Sequence, residues 1–369
     1  AIAVGSEGRG LSEALLSRCA DTLIIPMNPD SESLNAAVAA SVIMWEMVRD
    51  MGEFIARSYV GDGWSVNFAD ASAHSGSGLM DLIYRYGDAV GSDLMKGYAA
   101  MRSAESPFKP SATIDFSRYL ESLMHAEEFK NAKETFVPSN YTWYPETEFH
   151  YMSNDNGVFV ASRGGYNDES HNHNDIGSFN LYYDNQPMII DVGVGTYTRQ
   201  TFSSERYSIW TMQSNYHNVP MINGVPQEHG FNFRAADAKS TPTTFSVDIS
   251  KAYPEAAAVK KWVRAYKMDK KVLTVADSFT LSEAKEPNQI NFMTWGNVDA
   301  SVPGIVTVEV SGKRMELKYD KNVFSAGVET IDLTDKQLTS VWGDKIYRIS
   351  LKAKKLQKSG NYRYIITKK

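Results

Sequence analysis

Three of the chain's seven histidines lie in one region, and their spacing suits metal binding or proton transfer. In an extended segment, residues i and i+2 point to the same side, so His171 and His173 are expected to project together. Asp191 follows the apolar run 187–190, which is expected to form the next strand, and His217 lies downstream. Two imidazoles and a carboxylate from neighbouring strands suit a divalent metal, most naturally zinc. Alternatively, one of the paired histidines binds the metal and the other transfers protons.

The elements that must position these residues differ between the two parts of the chain. Apolar spacing up to about residue 140 predicts mainly helices, at 33–51, 78–86, 92–102 and 117–132. From Tyr151 onward, short alternating runs predict strands, among them 157–161, 178–183, 271–275, 290–294 and 347–351. We therefore expect an α+β, multi-domain fold in which a helical N-terminal part is followed by a large antiparallel β-sandwich.

The composition is that of an ordinary globular protein and does not indicate a particular class of partner. A chain of 369 residues is long enough for two domains, and 38 basic against 44 acidic side chains give no reason to expect nucleic acid or an anionic membrane as partner. The single cysteine, Cys19, excludes an internal disulfide framework. No apolar run is long enough to span a bilayer, and the first residues do not have the pattern of a signal peptide.

The order and spacing of several motifs resemble the heparinase II/III-like family of polysaccharide lyases. These motifs are His-Asn-His-Asn-Asp at 171–175, Gly-Ser-Phe at 177–179, Asp-Val-Gly at 191–193, Tyr-His-Asn-Val at 216–219 and Asn-Gly at 223–224. The stretch 62–71 is also similar to the late helical part of such proteins, so the resemblance extends from about residue 50 to the C-terminus. It implies an (α/α) toroid, incomplete here, followed by a layered antiparallel β-sandwich, with the active site between them.

The same resemblance implies roles for individual side chains. His171 is the position expected to act at the reacting centre. His173, Asp191 and His217 are the expected ligands of zinc or another divalent cation, which would have a mainly structural role. The alternative for these three residues is a hydrogen-bonded core cluster that holds no metal.

The lyases of this family cleave by elimination, and the resemblance therefore implies an acid as well as a base in the site. Tyrosine is suited to either role. The family places an active-site tyrosine near Tyr207, and Tyr197 is the rival candidate.

A planar guanidinium can bind a substrate carboxylate, although a surface charge is the simpler interpretation for any single arginine. The candidates are Arg163, Arg199 and Arg206. Aromatic residues that could stack on sugar rings, or equally form core, are Trp143, Trp210 and Tyr216. The histidines expected to be structural or surface residues are His74, His125 and His150. His229 lies near the site in the sequence but is not expected to be a ligand.

The first fifty residues resemble a different family. The stretches 4–12, 25–27 and 33–40 are similar to the end of SpoU-type RNA 2′-O-ribose methyltransferases, where they form part of a knotted S-adenosylmethionine site. This resemblance stops near Arg49, and the family's first motif, which supplies a catalytic arginine, has no counterpart here. We therefore expect a methyltransferase-like tail at 1–49, a helical partial toroid at 50–140 and the β-sandwich at 141–369, with a seam near 48–53.

The lyase resemblance implies cleavage of uronic-acid-containing glycans by β-elimination. Because part of the toroid is expected to be missing from the chain, weak or undetectable turnover is expected. The implied partner is an acidic polysaccharide or oligosaccharide, and a full-length family member is expected in the periplasm or outside the cell. The alternatives are a fragment of an RNA 2′-O-ribose methyltransferase and a non-catalytic carbohydrate-binding β-domain.

Overall fold

The computed structural model describes residues 11–18, 36–76, 78–105 and 116–369. These residues form two compact units. The first contains the described residues up to Arg57 and those of Ser77–Pro138, and the second contains Ser58–Gly76 and Ser139–Lys369. Most of the methyltransferase-like segment, namely 4–10, 25–27 and 33–35, lies outside the described residues.

Helices form the first unit, as the apolar spacing predicts. They are α1 (Glu13–Leu16), α2 (Ala36–Arg57), α3 (Met80–Ala89), α4 (Asp93–Glu105), α5 (Phe116–Met124) and α6 (Ala126–Lys130). The single helix predicted over 117–132 is divided at His125, whose backbone angles lie outside the helical region. Helix α2 runs without interruption through the predicted seam at 48–53. No described helix is both long and apolar enough to cross a membrane.

Buried polar contacts connect the helices of the first unit. Glu53 of α2 accepts a hydrogen bond from Ser92 Oγ at 2.8 Å, directly before α4 begins. Ser122 of α5 donates to Asp81 of α3 at 2.5 Å. Because these side chains are buried, each of them needs such a partner.

Strands dominate the second unit, and the alternating runs predict them correctly. In chain order they are β1 (Tyr59–Gly61), β2 (Trp64–Ser65), β3 (Tyr141–Tyr144), β4 (Phe149–Asn154), β5 (Val158–Arg163), β6 (Tyr166–Asn167), β7 (Phe179–Tyr183), β8 (Gln186–Ile189), β9 (Pro220–Met221), β10 (Gly230–Arg234), β11 (Ala236–Thr241), β12 (Thr244–Asp248), β13 (Val259–Asp269), β14 (Val272–Leu281), β15 (Gln289–Thr294), β16 (Asn297–Asp299), β17 (Ile305–Val310), β18 (Lys313–Lys318), β19 (Phe324–Asp332), β20 (Lys345–Ala353) and β21 (Ser359–Lys368). A short helix, α7 (Lys336–Trp342), connects β19 to β20.

The strands form three larger antiparallel sheets. Their strand orders are β11-β12-β13-β14-β21-β18-β17-β16, β3-β4-β5-β7-β8 and β19-β20-β15-β9. The expected fold class is therefore confirmed: helices in the N-terminal part are followed by a large, layered antiparallel β-structure.

Aromatic side chains pack these sheets together. Phe179 of β7 lies against Tyr266 of β13, with ring centroids 5.2 Å apart, and against Phe292 of β15 at 6.2 Å. All three side chains are buried, so one continuous core includes residues from each of the larger sheets. The strand β7 is buried along its whole length.

Alternation along β14 shows how the sequence forms this core. Leu273, Val275, Phe279 and Leu281 are buried, whereas the residues between them are more exposed. Asp277 also occupies a buried position in this series, although its side chain is charged. Its carboxylate is buried beside a guanidinium, as described below, because an unpaired buried charge would be costly.

Candidate functional site

The predicted histidine pair lies in a loop of the second unit. Residues between β6 and β7 form turns, and His171 adopts a left-handed conformation with φ of 60°. The expectation of an extended segment, in which the residues i and i+2 share a face, is therefore wrong for this pair. The two rings are nevertheless brought together, because both contact the carboxylate of Asp70.

Asp70 is the centre of a hydrogen-bonded cluster. His173 Nε2 lies 3.0 Å from its Oδ1, and His171 Nδ1 lies 2.9 Å from its Oδ2. Arg206 Nη2 donates to Oδ1 at 2.8 Å, and the Tyr197 hydroxyl donates to Oδ2 at 2.9 Å. Only 5% of the Asp70 side chain is exposed, whereas half of the His171 side chain is exposed. The cluster thus combines a buried anion with an imidazole that solvent or a ligand can reach.

These contacts keep the Asp70 carboxyl ionised. Burial by itself raises the pKa of that carboxyl, but the hydrogen bonds from His173, Arg206 and His171 outweigh burial, and the pKa lies well below its usual value. An ionised carboxylate can only accept hydrogen bonds. Each imidazole nitrogen that faces Asp70 therefore carries the hydrogen.

The three predicted metal ligands converge next to this cluster. His173, Asp191 and His217 each offer one ligand atom, and these atoms lie within 4.8 Å of one another. All three side chains are fully buried. The group could therefore hold a metal ion.

The hydrogen bonds around the group select the ligand atoms. His173 uses Nε2 for Asp70, and among the described residues nothing pairs with its buried Nδ1. His217 Nε2 lies 3.0 Å from the carbonyl oxygen of Thr211, which leaves Nδ1 facing Asp191 Oδ2 at 3.0 Å. Metal-binding histidines usually donate their second ring N–H to a carboxylate or a carbonyl in this manner. The donor set of two imidazole nitrogens and one carboxylate oxygen fits zinc.

Burial and charge act in opposite directions on the Asp191–His217 pair. Burial raises the pKa of the Asp191 carboxyl, but the adjacent His217 outweighs burial and lowers it. Burial likewise lowers the pKa of the His217 imidazole, but the Asp191 carboxylate outweighs burial and raises it. The pair therefore favours a negative carboxylate, which is the form that binds a cation.

Asn218 fixes the position of the neighbouring His217. Its side-chain amide donates to the carbonyl oxygens of Phe179 at 2.7 Å and Ile190 at 2.9 Å. Its Oδ1 accepts from the backbone N–H of Met293 at 2.7 Å. One buried amide thus connects β7, the residue after β8, and β15. This arrangement places His217 next to Asp191, which follows Ile190.

Asn67 connects the loop that contains Asp70 to Asp191 and to β7. Its amide donates to the backbone oxygen of Asp191 at 3.0 Å, and its Oδ1 accepts from Asn180 at 3.0 Å. Asp191 is oriented further by the N–H of Gly193, which donates to Oδ1 at 2.8 Å from a left-handed backbone with φ of 74°. The other carboxylate oxygen remains directed at His217.

The two candidate tyrosines have different surroundings. The Tyr197 hydroxyl lies 3.4 Å from His171 Nδ1 as well as 2.9 Å from Asp70, and the rings of Tyr197 and His171 are nearly parallel with centroids 6.3 Å apart. Tyr207 stacks on His229 at 4.3 Å, and its hydroxyl accepts a hydrogen bond from the Asn172 amide at 3.3 Å. Burial raises the pKa of both hydroxyl groups, and in Tyr197 the hydrogen bond to Asp70 raises it further.

Two of the candidate arginines are already engaged within the protein. The buried guanidinium of Arg163 lies 2.9 Å from Glu169 and 3.0 Å from Asp175. Arg206 contacts Asp70 and also donates to the backbone oxygen of Asn172 at 3.0 Å. Arg199, by contrast, is exposed in the loop that carries Tyr197.

The remaining candidates have ordinary packing roles around the site. Trp210 and Tyr216 pack edge to face with centroids 5.0 Å apart, and Trp143 packs on Phe245 at 5.8 Å. The other histidines contact Trp64 (His74), Glu128 (His125), Ser162 and Thr241 (His150), and Glu228 and Tyr207 (His229).

Sequence reasoning missed Asp70 as a site residue. The motif 62–71 that contains it was part of the family resemblance, and that motif was the available signal. The carboxylate is separated from His173 by 103 positions in the chain, so no local spacing could indicate the contact.

Comparison with known families supports the lyase resemblance over most of the chain. The model of the family described as heparinase II/III-like, C-terminal, matches residues 137–344. The model of the SpoU rRNA methylase family matches residues 1–45. A curated protein of Mycobacterium tuberculosis, described as an uncharacterized tRNA/rRNA methyltransferase, is 48% identical over 48 residues, which is 13% of this chain and 15% of that protein.

Solved structures of polysaccharide lyases share the fold. A mutant of the heparan sulfate lyase from Pedobacter heparinus matches with a TM-score of 0.64 and 13% identity, over 89% of this chain and 47% of that chain. A heparinase III matches with a TM-score of 0.62 and 14% identity, over 90% and 50%. A Paenibacillus xanthan lyase matches with a TM-score of 0.52 and 12% identity, over 92% and 36%. The chain thus spans about half or less of the length of these proteins.

Proposed function

This chain belongs to the heparinase II/III-like family, and we propose that it carries the β-domain portion of a lyase active site that cleaves uronic-acid-containing glycans by β-elimination. The observation that carries this proposal is the half-exposed imidazole of His171, held by the buried carboxylate of Asp70. A ring fixed in this way presents its other nitrogen, Nε2, as a proton acceptor. General bases need this combination of orientation and access.

The reaction requires a proton to leave C5 of the uronate and an oxygen to leave C4. In the proposed reaction, His171 Nε2 takes the C5 proton, and the electron pair left at C5 forms the double bond to C4. The bond between C4 and the glycosidic oxygen breaks, and a tyrosine hydroxyl protonates that oxygen. The tyrosine hydroxyl is protonated near neutral pH, as this role requires.

We assign the acid role to Tyr197 before Tyr207. The Tyr197 hydroxyl lies 3.4 Å from His171 Nδ1, and Tyr197 is an exposed residue, so both groups can contact one substrate. Tyr207 is stacked on His229 and is hydrogen-bonded to Asn172. Arg199, which is exposed in the Tyr197 loop, is the proposed partner for the uronate carboxylate, whose charge must be neutralised as negative charge develops at C5.

The proposed metal has a structural task. When bound, zinc or another divalent cation would be held by His173 Nδ1, Asp191 Oδ2 and His217 Nδ1, and would neutralise the buried carboxylate among them. The orphaned, buried Nδ1 of His173 supports this assignment, because a buried nitrogen without a partner is costly. His171 does not belong to the ligand set and stays available for the reaction.

The match of residues 1–45 to the SpoU family favours a second candidate, an RNA methyltransferase fragment. Calorimetry with S-adenosylmethionine tests it, and we expect no binding, because only 15% of the matched relative is represented. A third candidate is a carbohydrate-binding β-domain without catalysis. It would bind a uronate polymer and release no unsaturated product.

Product chemistry tests the lyase proposal. The chain, loaded with zinc, is incubated at high concentration with a panel of uronate polymers that includes heparan sulfate and alginate. We expect slow formation of chain ends that absorb in the ultraviolet because they contain a C4–C5 double bond, and mass spectrometry identifies them. Absence of unsaturated ends from every polymer would refute a lyase activity of this chain.

A further inference from the structure

We propose that Asp70 is a positioning residue that holds His171 and His173 in opposite tautomers, one suited to proton transfer and the other to metal binding. The statement about His171 rests on the proposed lyase function. The statement about His173 rests only on the geometry of the ligand group. The two histidines are separated by one residue, yet they present different ring nitrogens to the same carboxylate.

The His173 ring is the simpler case. Its Nε2 lies 3.0 Å from Asp70 Oδ1, so the hydrogen is on Nε2 and the lone pair is on Nδ1. Among the described residues nothing pairs with Nδ1, and this nitrogen belongs to the group formed with Asp191 and His217. Asp70 thereby orients the proposed metal ligand His173 through the ring nitrogen that does not face the metal. This hydrogen bond also increases the basicity of Nδ1.

The His171 ring is held the other way round. Its Nδ1 lies 2.9 Å from Asp70 Oδ2, so the hydrogen is on Nδ1 and the lone pair is on Nε2. Half of this side chain is exposed, and a lone pair on Nε2 can therefore meet a substrate proton. The backbone at His171 is left-handed, with φ of 60°, so the residue lies in a turn and not in a strand.

Asp70 is itself held rigidly enough to impose these states. Arg206 donates to Oδ1 at 2.8 Å and, through the same guanidinium, to the backbone oxygen of Asn172, the residue between the two histidines. Tyr197 donates to Oδ2 at 2.9 Å. The preceding residue, Ala69, has a φ of 59°, which an alanine rarely adopts unless its surroundings require it. Each carboxylate oxygen therefore receives one imidazole and one further donor.

One consequence is a link between the metal group and the reacting ring. Movement of the Asp70 carboxylate changes the hydrogen bonds of both imidazoles together, because its two oxygens are part of one rigid group. Loss of the carboxylate is therefore expected to affect metal affinity and proton transfer in parallel.

The wild-type protein gives the first test. Long-range proton–nitrogen NMR spectra, recorded at alkaline pH with the metal-free and the zinc-loaded protein, distinguish the two neutral imidazole tautomers. We expect the hydrogen on Nδ1 in His171 and on Nε2 in His173. The same tautomer in both rings would overturn the proposal without any substitution.

The variant Asp70→Asn gives the second test. The two rings face different carboxylate oxygens, and in the amide one of these positions becomes a donating nitrogen, so at least one histidine should change its tautomer. Zinc affinity should fall about 10- to 100-fold, as is typical when a partner behind a metal ligand is lost. The matched control is Asp62→Asn, which makes the same chemical change at an exposed position of the same segment and should leave both readouts unchanged.

These readouts separate the two proposals. Unchanged tautomers and unchanged zinc affinity in Asp70→Asn would refute the positioning role, whatever the activity of the protein. The expected tautomer and affinity changes, in a protein that forms no unsaturated product, would support the positioning role and refute only the lyase function. A circular dichroism spectrum identical to that of wild type excludes misfolding as the cause.

Discussion

Asp191 Oδ2 and His217 Nδ1 lie 3.0 Å apart, and both side chains are completely buried. A buried carboxylate next to an imidazole is paired well enough to exist without metal, which was the alternative left open by the sequence. The third member of the group favours the proposed metal, because the buried Nδ1 of His173 has no partner among the described residues and belongs to the same group. A cation satisfies all three side chains at once.

The first prediction concerns the ligands. Replacing His217 with alanine should abolish stoichiometric zinc binding, because only two protein ligands remain. In wild type, zinc at 100 times its dissociation constant should raise the free energy of unfolding by about 2.7 kcal/mol, and this gain should be absent from the variant. Elemental analysis and thermal unfolding with and without chelator measure the two effects.

The matched control is His229→Ala, since His229 is an exposed histidine paired with Glu228. It should bind zinc as wild type does. An equal loss of zinc from both variants would contradict the assigned ligand set.

The second prediction concerns the base. His171→Ala should lower turnover by about 10²- to 10⁴-fold, the usual contribution of a well-placed acid or base, while zinc content stays the same. Half of this side chain is exposed, and the contacts described for its ring are with the side chains of Asp70 and Tyr197, so the fold should persist. The rate of formation of unsaturated ends and the zinc content of the same preparation measure the outcome. Turnover within threefold of wild type would remove His171 from the mechanism.

The third prediction separates the two tyrosines. Tyr197→Phe removes a hydroxyl that contacts both Asp70 and His171, and we expect a loss of turnover of about 10²-fold or more. Tyr207→Phe removes a hydroxyl that contacts Asn172, and we expect a smaller loss. The two variants are matched controls for each other, because each deletes one oxygen from a ring that stays in place. The reverse order of the two effects would transfer the acid role to Tyr207.

The fold could be predicted from the sequence wherever a periodic pattern coincides with one buried face. The buried series of β14 and the apolar spacing of α4 are of this kind. The assignment of Ser58–Gly76 to the second unit could not be obtained in this way. Trp64 in that segment packs on Trp342 and Trp295, with ring centroids 5.5 and 5.6 Å apart, and such distant contacts leave no trace in local spacing.

The site was predicted in part, and for a reason other than periodicity. His173, Asp191 and His217 were identified because their motifs resemble a family, and the three side chains do converge. The backbone argument for His171 and His173 was wrong, because turns rather than a strand carry them. Asp70 was missed because a carboxylate in a loop is an ordinary surface residue until a distant part of the chain folds onto it. The assigned roles and the domain bounds at 49 and 140 stay predictions.

The fourth prediction is a pH dependence of stability caused by His150. Burial lowers the pKa of this imidazole from 6.5 to about 4, against a smaller opposite effect of its hydrogen bond to the Thr241 carbonyl. The unfolded chain therefore binds this proton first as the pH falls. The contribution of His150 to the free energy of unfolding is therefore constant above pH 6.5. It falls as the pH drops from 6.5 to about 4, and the total loss is about 3 kcal/mol.

The variant His150→Gln tests this effect, because it stays neutral and its amide can still donate to Thr241. It should be less stable than wild type at neutral pH, where it loses the stack on Phe245, whose ring lies 5.2 Å away. Its stability should fall less steeply than that of wild type between pH 6.5 and 4 in urea titrations. Parallel pH profiles would show that His150 does not carry the effect.

The fifth prediction concerns the buried pair Arg264 and Asp277, whose two hydrogen bonds measure 2.8 and 2.9 Å. Arg264→Met leaves the Asp277 carboxylate buried without its cationic partner and should cost about 3–5 kcal/mol in urea unfolding. The double variant Arg264→Met/Asp277→Leu should recover most of that stability, since two apolar side chains can replace a buried ion pair. Recovery of zinc affinity should be incomplete, because Arg264 also donates to the backbone oxygen of Asn218 at 2.6 Å, directly after His217. A double variant that regained both stability and full zinc affinity would show that the ion pair does not help to position the metal group.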